Sequence, residues 1–358
     1  MPRVIGIDPG TLTIDICGLD DGRLFLDESL PTRDALRDPA RFVARLTAAG
    51  PVDLIAGPSG YGLPCVAAAD LTERDLRLAF LAAEGESGGI GGLRSLVRAL
   101  ADSALPVVFT PGVIHLASVP EHRKVNRVDM GTADKVCTAA LAVHEQSARC
   151  RWRHGETAFI LLELGGAFTA AVAVQDGRIV DGIGGSSGPM GARAPGAFDG
   201  EVAYLAGRVT KSMVFAGGAA AVSGESDIAA LAEPLTTSQQ IARDAYVEGA
   251  VKAVVALSAS APRATELILS GRAAHLPAVR DEIGRRVGAL QKLSLHLLTG
   301  FAAAASQAAQ GAALVADGLA GGGHAELAAT LGIRDAHGTV LDHLYVVSRS
   351  QAEHTLGL

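Results

Sequence analysis

The sequence predicts an α/β protein of two related domains, each with a mixed sheet built on a three-stranded meander. Three observations carry this. Residues 4–27 and 159–181 follow one plan: a short apolar strand ending in an acid and a glycine turn, a second strand, an Asp-Gly turn and a third strand. Overlaid without a gap, Asp8 falls on Glu163, Gly10 on Gly165, and Asp21-Gly22-Arg23 on Asp176-Gly177-Arg178. Each copy is followed by alternating helical and strand patterns, the signature of layered α/β units. Finally, 358 residues, 49% of them hydrophobic, supply apolar material for two separate cores.

The elements follow in order. Residues 33–49 read as one amphipathic helix with Ala35, Leu36, Phe42, Val43 and Leu46 on its apolar face. A buried strand at 52–56 then runs into the glycine-rich stretch 57–62. A helix at 71–83, a glycine-rich loop at 85–92, a helix at 93–103 and a buried strand at 106–110 complete the first unit. A long helix at 133–147 crosses into the second. There the repeated meander leads through a loop at 184–200 to a helix at 241–257, a strand at 267–269 stopping at Ser270-Gly271-Arg272, and a helix at 277–287. A small-residue helix at 302–317 is suited to lie closely between the domains. The tail adds one more helix and a strand at 340–347. The expected organisation is a first domain over 1–132, a second over 133–322, and a C-terminal segment, 323–358, packing back on the first.

The glycine turns point to a phosphate. Asp-Pro-Gly-Thr and Glu-Leu-Gly-Gly break their strands tightly, because glycine accepts positive φ without a Cβ clash. Such turns leave backbone N–H groups free to gather around an anion. An acid just before the turn would repel that anion unless a divalent cation lay between them, so Asp8 reads as a partner of Mg²⁺ or its waters. Glu163 reads as serving the cation or a catalytic water, or as capping its turn. One such hairpin is most simply a hairpin with good turn residues; two in register favour a shared phosphate site.

Composition narrows the classes. A net charge of −7 and 4% aromatic residues, with no basic run, argue against a nucleic-acid surface. The longest apolar stretches are interrupted by Gly, Ser, Gln and charge, and a strand pattern beginning at Val4 leaves no room for a leader, so neither membrane insertion nor secretion is expected. Cys17, Cys65, Cys137 and Cys150 lie far apart, without the spacing of a zinc or iron–sulfur site, and read as reduced thiols of a cytoplasmic protein. The histidines show no metal-ligand spacing.

IGIDPGT (5–11), LLELGGAFT (161–169), LILSGRAA (267–274) and AAQGAALVA (308–316) resemble, in order, the first phosphate, second phosphate, adenosine and second connecting motifs of the actin, heat-shock chaperone and sugar-kinase superfamily. The resemblance implies two ribonuclease-H-like domains with ATP in the cleft between them. Gly10 and Thr11 of one turn and Gly165, Gly166 and Thr169 of the other would meet its phosphates, and Gly271 and Arg272 its adenine. Thr169 has packing within the strand as its alternative.

Within that superfamily the middle of the chain is similar to the carboxylate kinases. Gly188-Pro189-Met190-Gly191-Ala192-Arg193, followed by Asp199, resembles an acetate-kinase stretch whose Arg contacts the acyl phosphate, and also a butyrate-kinase loop. His122-Arg123-Lys124 before Met130-Gly131-Thr132 parallels the Arg pair that precedes a Phe-His-Gly-Thr segment. As a whole the chain resembles a family of predicted butyrate kinases. It departs from acetate kinases at Met130, which cannot donate the hydrogen bond of the His found there, and in lacking the Asn and Ser-rich run of their first turn. Stabilisation of the transferring group then falls to Arg193, with Arg127 or Lys135, and Mg²⁺. Asp134 is the candidate base for an alcohol acceptor, with helix capping as its alternative; Lys135 has a solvated role as its own. The resemblance thus implies an ATP- and Mg²⁺-dependent small-molecule kinase with a short-chain carboxylate as favoured acceptor, and a homodimer. A nucleotide-gated binding or regulatory protein and a sugar or polyol kinase are the alternatives.

Overall fold

A computed structural model describes residues 2–58, 60–81 and 93–358. The first meander comprises β1 (Arg3–Pro9), β2 (Thr13–Asp20) and β3 (Arg23–Pro31). With β4 (Leu54–Pro58), β5 (Val66–Ala67) and β6 (Val107–Thr110) it makes a six-stranded sheet in the order β3-β2-β1-β4-β6-β5. The second meander comprises β7 (Ala158–Leu164), β8 (Thr169–Gln175) and β9 (Arg178–Ile183). With β10 (Glu266–Ser270) and β11 (Ser294–Leu297) it makes a five-stranded sheet in the order β11-β10-β7-β8-β9. In each sheet the first meander strand pairs antiparallel with the second and parallel with a later strand, β1 with β4 and β7 with β10.

The duplication reaches the backbone detail. The ladder shifts register between Gly18 and Leu19 in one copy and between Ala173 and Val174 in the other, the same place in the overlay. Both Asp-Gly turns take two successive positive φ values, 53° and 71° at Asp21-Gly22 and 55° and 69° at Asp176-Gly177. This is the hairpin turn whose twist matches the flanking strands.

Alternation along the strands divides the core. Ile5, Ile7, Ile14 and Ile16 face one side, against α1 (Thr32–Arg37), α2 (Pro39–Ala48), α3 (Glu73–Phe80) and α4 (Leu93–Ala101), where Phe42, Leu46, Phe80 and Leu96 are buried. After the short α5 (Glu121–Lys124), α6 (Ala133–Cys150) packs against strands of both sheets. Beyond β9 come α7 (Gly200–Ala206), α8 (Lys211–Val214) and α9 (Ala219–Ser223), then α10 (Thr237–Ser258) and α11 (Pro277–Leu290), which cover the outer face of the second sheet. α12 (Gln307–Leu319), buried on all sides, lies between β1 and α6. Glycine makes that contact: a Cβ on Gly6 would sit 2.2 Å from the Ala313 nitrogen, and one on Gly311 would sit 1.8 Å from the Cys137 carbonyl oxygen. α13 (Ala325–Leu331) and α14 (Arg349–Leu356) follow, and α14 meets α3 through an Arg74–Glu353 ion pair at 2.6 Å. Among the described residues no helix is long and apolar enough to cross a membrane.

Several expectations are corrected. The helix at 33–49 is two helices, because Pro39 has no N–H to continue the ladder and Asp38 caps the second, accepting from the Arg41 N–H at 3.0 Å. The helix expected from 302 begins at Gln307, since the N–H groups of Ala303, Ala304 and Ala305 are turned toward the Asp27 carboxylate at 2.7–3.1 Å. Residues 340–347 form turns rather than a strand: Asp342 accepts from Thr339, and the Asn126 side chain holds the N–H groups of Tyr345 and Val346. β11 and the short helices of 200–223 carry too few periodic residues to have been expected. The loop at 85–92 lies outside the described residues.

Candidate active site

Both glycine turns open on one cavity of about 540 Å³. Residues 8–13 line it from the first hairpin, 165–168 from the second, and Gly271 and Arg272 from the end of β10. Glycine serves here for a different reason than expected. Gly10, Gly165 and Gly166 do not have positive φ. A Cβ on Gly10 would lie 2.8 Å from the Thr13 carbonyl oxygen, and one on Gly165 2.9 Å from that of Phe168. Each turn is folded so tightly on the following strand that a side chain has no room. Gly271 does need its left-handed φ of 84°, and a Cβ there would also strike the Leu164 carbonyl.

Two helix N-termini point at the same space. Thr132, Asp134 and Lys135 at the start of α6 and Ser306, Gln307 and Ala308 at the start of α12 line the cavity. Ser306 caps α12 by accepting from the Ala309 N–H at 3.2 Å. Helix N-termini present unpaired N–H groups and the positive end of the dipole, favourable for an anion.

Within the cavity the structure joins Asp134, Lys135 and Glu163. The Lys135 ammonium donates to Glu163 Oε1 at 2.7 Å and also to Asp134. Asp134 accepts further from the Thr132 hydroxyl, and Glu163 Oε2 from the Thr138 hydroxyl at 3.4 Å. Burial opposes the charge on Asp134, but Lys135 and Thr132 outweigh it and hold this carboxyl below its usual range. Burial likewise opposes the charge on Lys135, and its two acid partners outweigh it and keep the ammonium protonated. Glu163 goes the other way: burial, with the Asp134 charge, raises it despite Lys135. Asp8 stands beside them and accepts from the Ser306 hydroxyl at 2.7 Å. Burial first, then Asp134, pushes it up to about 8.

Three half-buried carboxyls thus stand around one ammonium, two of them bonded to it. That excess of negative charge suits a divalent cation. Among the described residues no three acid, His or Cys side chains form a cage for one; Mg²⁺ is typically held by one or two carboxylates with waters and substrate phosphates.

Other expected residues lie elsewhere. Arg193 is exposed and lines a separate pocket of about 90 Å³ with Glu225 and Asp227, which shares Leu12, Gly166 and Arg272 with the main cavity. Its N–H bonds the Ala167 carbonyl at 3.0 Å, tying its loop to the back of the second turn. Thr169 is fully buried against Tyr246 and does not line the cavity, so its packing alternative is the one observed. Thr11 and Arg272 are exposed at the cavity. Arg127 does not line it, and Met130 is buried outside it.

The far wall was not foreseen. It consists of Leu36, Tyr61, Leu93, Phe168, Ser186 and Phe215, with Phe168 and Phe215 edge to face at 5.0 Å. Asp129 supports it: Oδ2 accepts from the Ser186 N–H and hydroxyl, both at 2.8 Å, and Oδ1 from the Gly131 N–H at 3.1 Å. Asp15 was missed as well. It lies directly opposite Asp8 across the β1–β2 ladder and is 6% exposed. The overlay of the two hairpins carried the signal, because Asp15 falls on Ala170.

Two sheets with duplicated glycine-turn meanders around one acid-lined cavity define the two-domain kinase fold of the acetate and propionate kinases. A propionate kinase from Francisella tularensis subsp. tularensis superposes with a TM-score of 0.63 at 12% identity, covering 87% of this chain and 98% of that one. An acetate kinase from Porphyromonas gingivalis gives 0.62 at 13% identity over 87% and 98%. One from Entamoeba histolytica gives 0.58 at 11% over 80% and 87%. By its sequence the chain belongs to the family described as "Protein of unknown function (DUF1464)", whose model matches residues 6–346. No curated protein matches it.

Proposed function

We propose that the protein transfers the γ-phosphoryl group of ATP to a hydroxyl of a small, uncharged acceptor. The observation that carries this is the convergence of both glycine turns, two helix N-termini and the Asp134–Lys135–Glu163 cluster on one cavity. Phosphoryl transfer demands mainly alignment and charge around a loose, anionic transition state. The turn and helix N–H groups supply donors for phosphate oxygens, and Lys135 fixed positive charge between the two hairpins. A bound Mg²⁺, with Asp8 as its protein ligand, would offset the repulsion between nucleotide and acids.

The acceptor follows from the charge on the far wall. A carboxylate acceptor, favoured by the resemblance, needs cations to overcome its repulsion from ATP. Among the described residues, only Lys135 and Arg272 line the cavity as Lys or Arg; Lys135 is held by two acids, and Arg272 stands with Gly271 at the end of β10. Lys211 lies over the Tyr61 ring at 5.5 Å, outside the lining. Residues 82–92, between α3 and α4, contain neither Lys nor Arg. Aromatic rings with Ser186 and Tyr61 suit a hydroxyl-bearing molecule with apolar faces. As the acceptor oxygen bonds to phosphorus and ADP departs, the hydroxyl proton passes to Glu163. Its raised affinity for a proton fits that task better than Asp134, which Lys135 keeps ionised.

The test is ADP release by full-length protein with Mg²⁺ and ATP across panels of polyols, sugars and short carboxylates. Turnover confined to hydroxyl acceptors supports the proposal. Turnover on carboxylates, or nucleotide binding without turnover on any acceptor, overturns it; the last outcome favours a nucleotide-gated regulator.

A further inference from the structure

Five acids line the cavity: Asp8, Asp15, Asp129, Asp134 and Glu163. Three have both carboxylate oxygens occupied by donors of the protein. Asp129 accepts from Gly131 and Ser186, Asp134 from Thr132 and Lys135, and Glu163 from Lys135 and Thr138. Asp15 differs. Thr13, Ser29, which stands opposite it on β3, and Ser306 lie close enough to favour its charged form, but Oδ2 accepts only a long bond from the Thr13 hydroxyl, at 3.4 Å, and Oδ1 is buried with no hydrogen-bond partner. A buried polar atom left this way is costly unless something not yet present satisfies it.

The place of that oxygen shows what would satisfy it. Asp8 and Asp15 are directly paired in the antiparallel ladder, so their side chains leave the same face of the sheet as near neighbours. Like charges so placed repel one another: Asp15 acts to raise Asp8, and Lys135 acts against it. Ser306 at the α12 N-terminus already donates to Asp8. Besides Thr13, Ser29 on β3 and Ser306 are the protein donors near Asp15; neither satisfies Oδ1, and Asp15 lines the cavity that a ligand would enter. The second hairpin has no such pair, since Glu163 stands opposite Ala170.

We propose that Asp15 is the second protein ligand of the divalent cation, holding it jointly with Asp8 at the first hairpin. This rests on the phosphoryl-transfer reading and adds to it the assignment of the cation to the β1–β2 pair rather than to a position shared between the two turns. Two carboxylates side by side with open coordination positions suit Mg²⁺ or Mn²⁺, whose other ligands are waters and phosphate oxygens. Glu163 is thereby left to Lys135 and to the acceptor.

The experiment is equilibrium binding of Mn²⁺ to full-length protein, read by the electron paramagnetic resonance signal of the free ion, with and without ADP. Wild type is expected to bind Mn²⁺ in the presence of ADP, Asp15→Asn to bind about tenfold or more weakly, and Asp15→Glu to recover part of the loss. Asp15→Ala, the residue the second hairpin carries, is the further variant should the isostere fail to fold; a retained thermal transition shows that any loss is one of binding. Asp15→Asn and Asp15→Ala with wild-type Mn²⁺ affinity, alongside an Asp8→Asn that loses it, overturn the assignment of Asp15 and leave the phosphoryl-transfer reading standing. No Mn²⁺ uptake by wild type with ADP overturns both.

Discussion

The two hairpins share a backbone and differ in charge. Both carry the same Asp-Gly turn, the same register shift and a glycine whose added Cβ would lie within 3 Å of the carbonyl oxygen three residues on. On that common frame the first hairpin sets Asp15 opposite Asp8, and the second sets Ala170 opposite Glu163. Glu163 has an ammonium within 2.7 Å, whereas Asp8 has a serine hydroxyl and an acidic neighbour. Duplication therefore supplied two equivalent glycine turns, and substitution of a few side chains gave one an excess of negative charge and the other a paired acid. The difference teaches that equivalent position in a repeat fixes geometry, while the chemistry is set by what stands across the ladder.

The largest effect is expected where the second hairpin's acid is neutralised. Lys135→Met leaves Asp134 and Glu163 buried without their cation, so it should lower stability by about 3 kcal/mol or more and slow phosphoryl transfer by about 100-fold or more. Thermal unfolding and initial rates check this. A variant that folds normally and turns over at the wild-type rate would remove Lys135 from the account.

The isosteric amides at Asp8 and Glu163 should then act in the same direction but to different extents on the nucleotide- and cation-free protein. Asp8 has a folded pKa of about 8, above its unfolded value, so its ionisation opposes folding progressively as pH rises above the ordinary carboxylate range. Asp8→Asn removes that penalty and should raise the melting midpoint at pH 7 by several degrees, on the order of a few kcal/mol. Burial raises Glu163 as well, but Lys135 acts against it, so Glu163→Gln should raise the midpoint by less than Asp8→Asn. A larger gain for Glu163→Gln than for Asp8→Asn would break the comparison.

Glycine replacement tests the shared frame instead. Gly10→Ala and Gly165→Ala drive a methyl group against a carbonyl oxygen at 2.8 and 2.9 Å, and each should cost about 1–3 kcal/mol. Chemical denaturation would show whether the two costs match. A clear inequality would mean that the turns are less alike than their backbones indicate.

The smallest effect lies outside the cavity. Burial lowers His115 to about 4, below its unfolded value, so the folded protein resists its protonation. Its contribution to stability is complete above about pH 6.5 and is lost as pH falls toward 4. His115→Gln should flatten that part of the stability profile and leave the cavity's own pH dependence in place.

Much of the architecture was legible because it is written in local patterns. Two apolar strands broken at Asp-Pro-Gly and Glu-Leu-Gly-Gly announce hairpins, and their overlay announces two related sheets. What stayed hidden depends on contacts between distant segments. Ser306 reaches Asp8 across 298 positions, and Asp27 shortens α12 by capturing three N–H groups 276 to 278 positions away. The necessity of glycine at Gly10 was readable, but its reason was not, since a Cβ clash with Thr13 requires the folded turn. Thr169 matched a motif and yet points into the core, because strand alternation decides which face a side chain takes. The aromatic far wall gathers residues from separate loops, and no spacing in the sequence marks them.

We propose that the paired turns and their cation form one nucleotide site. Isothermal titration calorimetry of a non-hydrolysable ATP analogue into full-length protein, with and without Mg²⁺, tests it most directly. Mg²⁺-dependent binding that Asp8→Asn weakens by about tenfold or more is expected. Absence of binding heat with Mg²⁺ present, or an affinity that Asp8→Asn leaves unchanged, would contradict it.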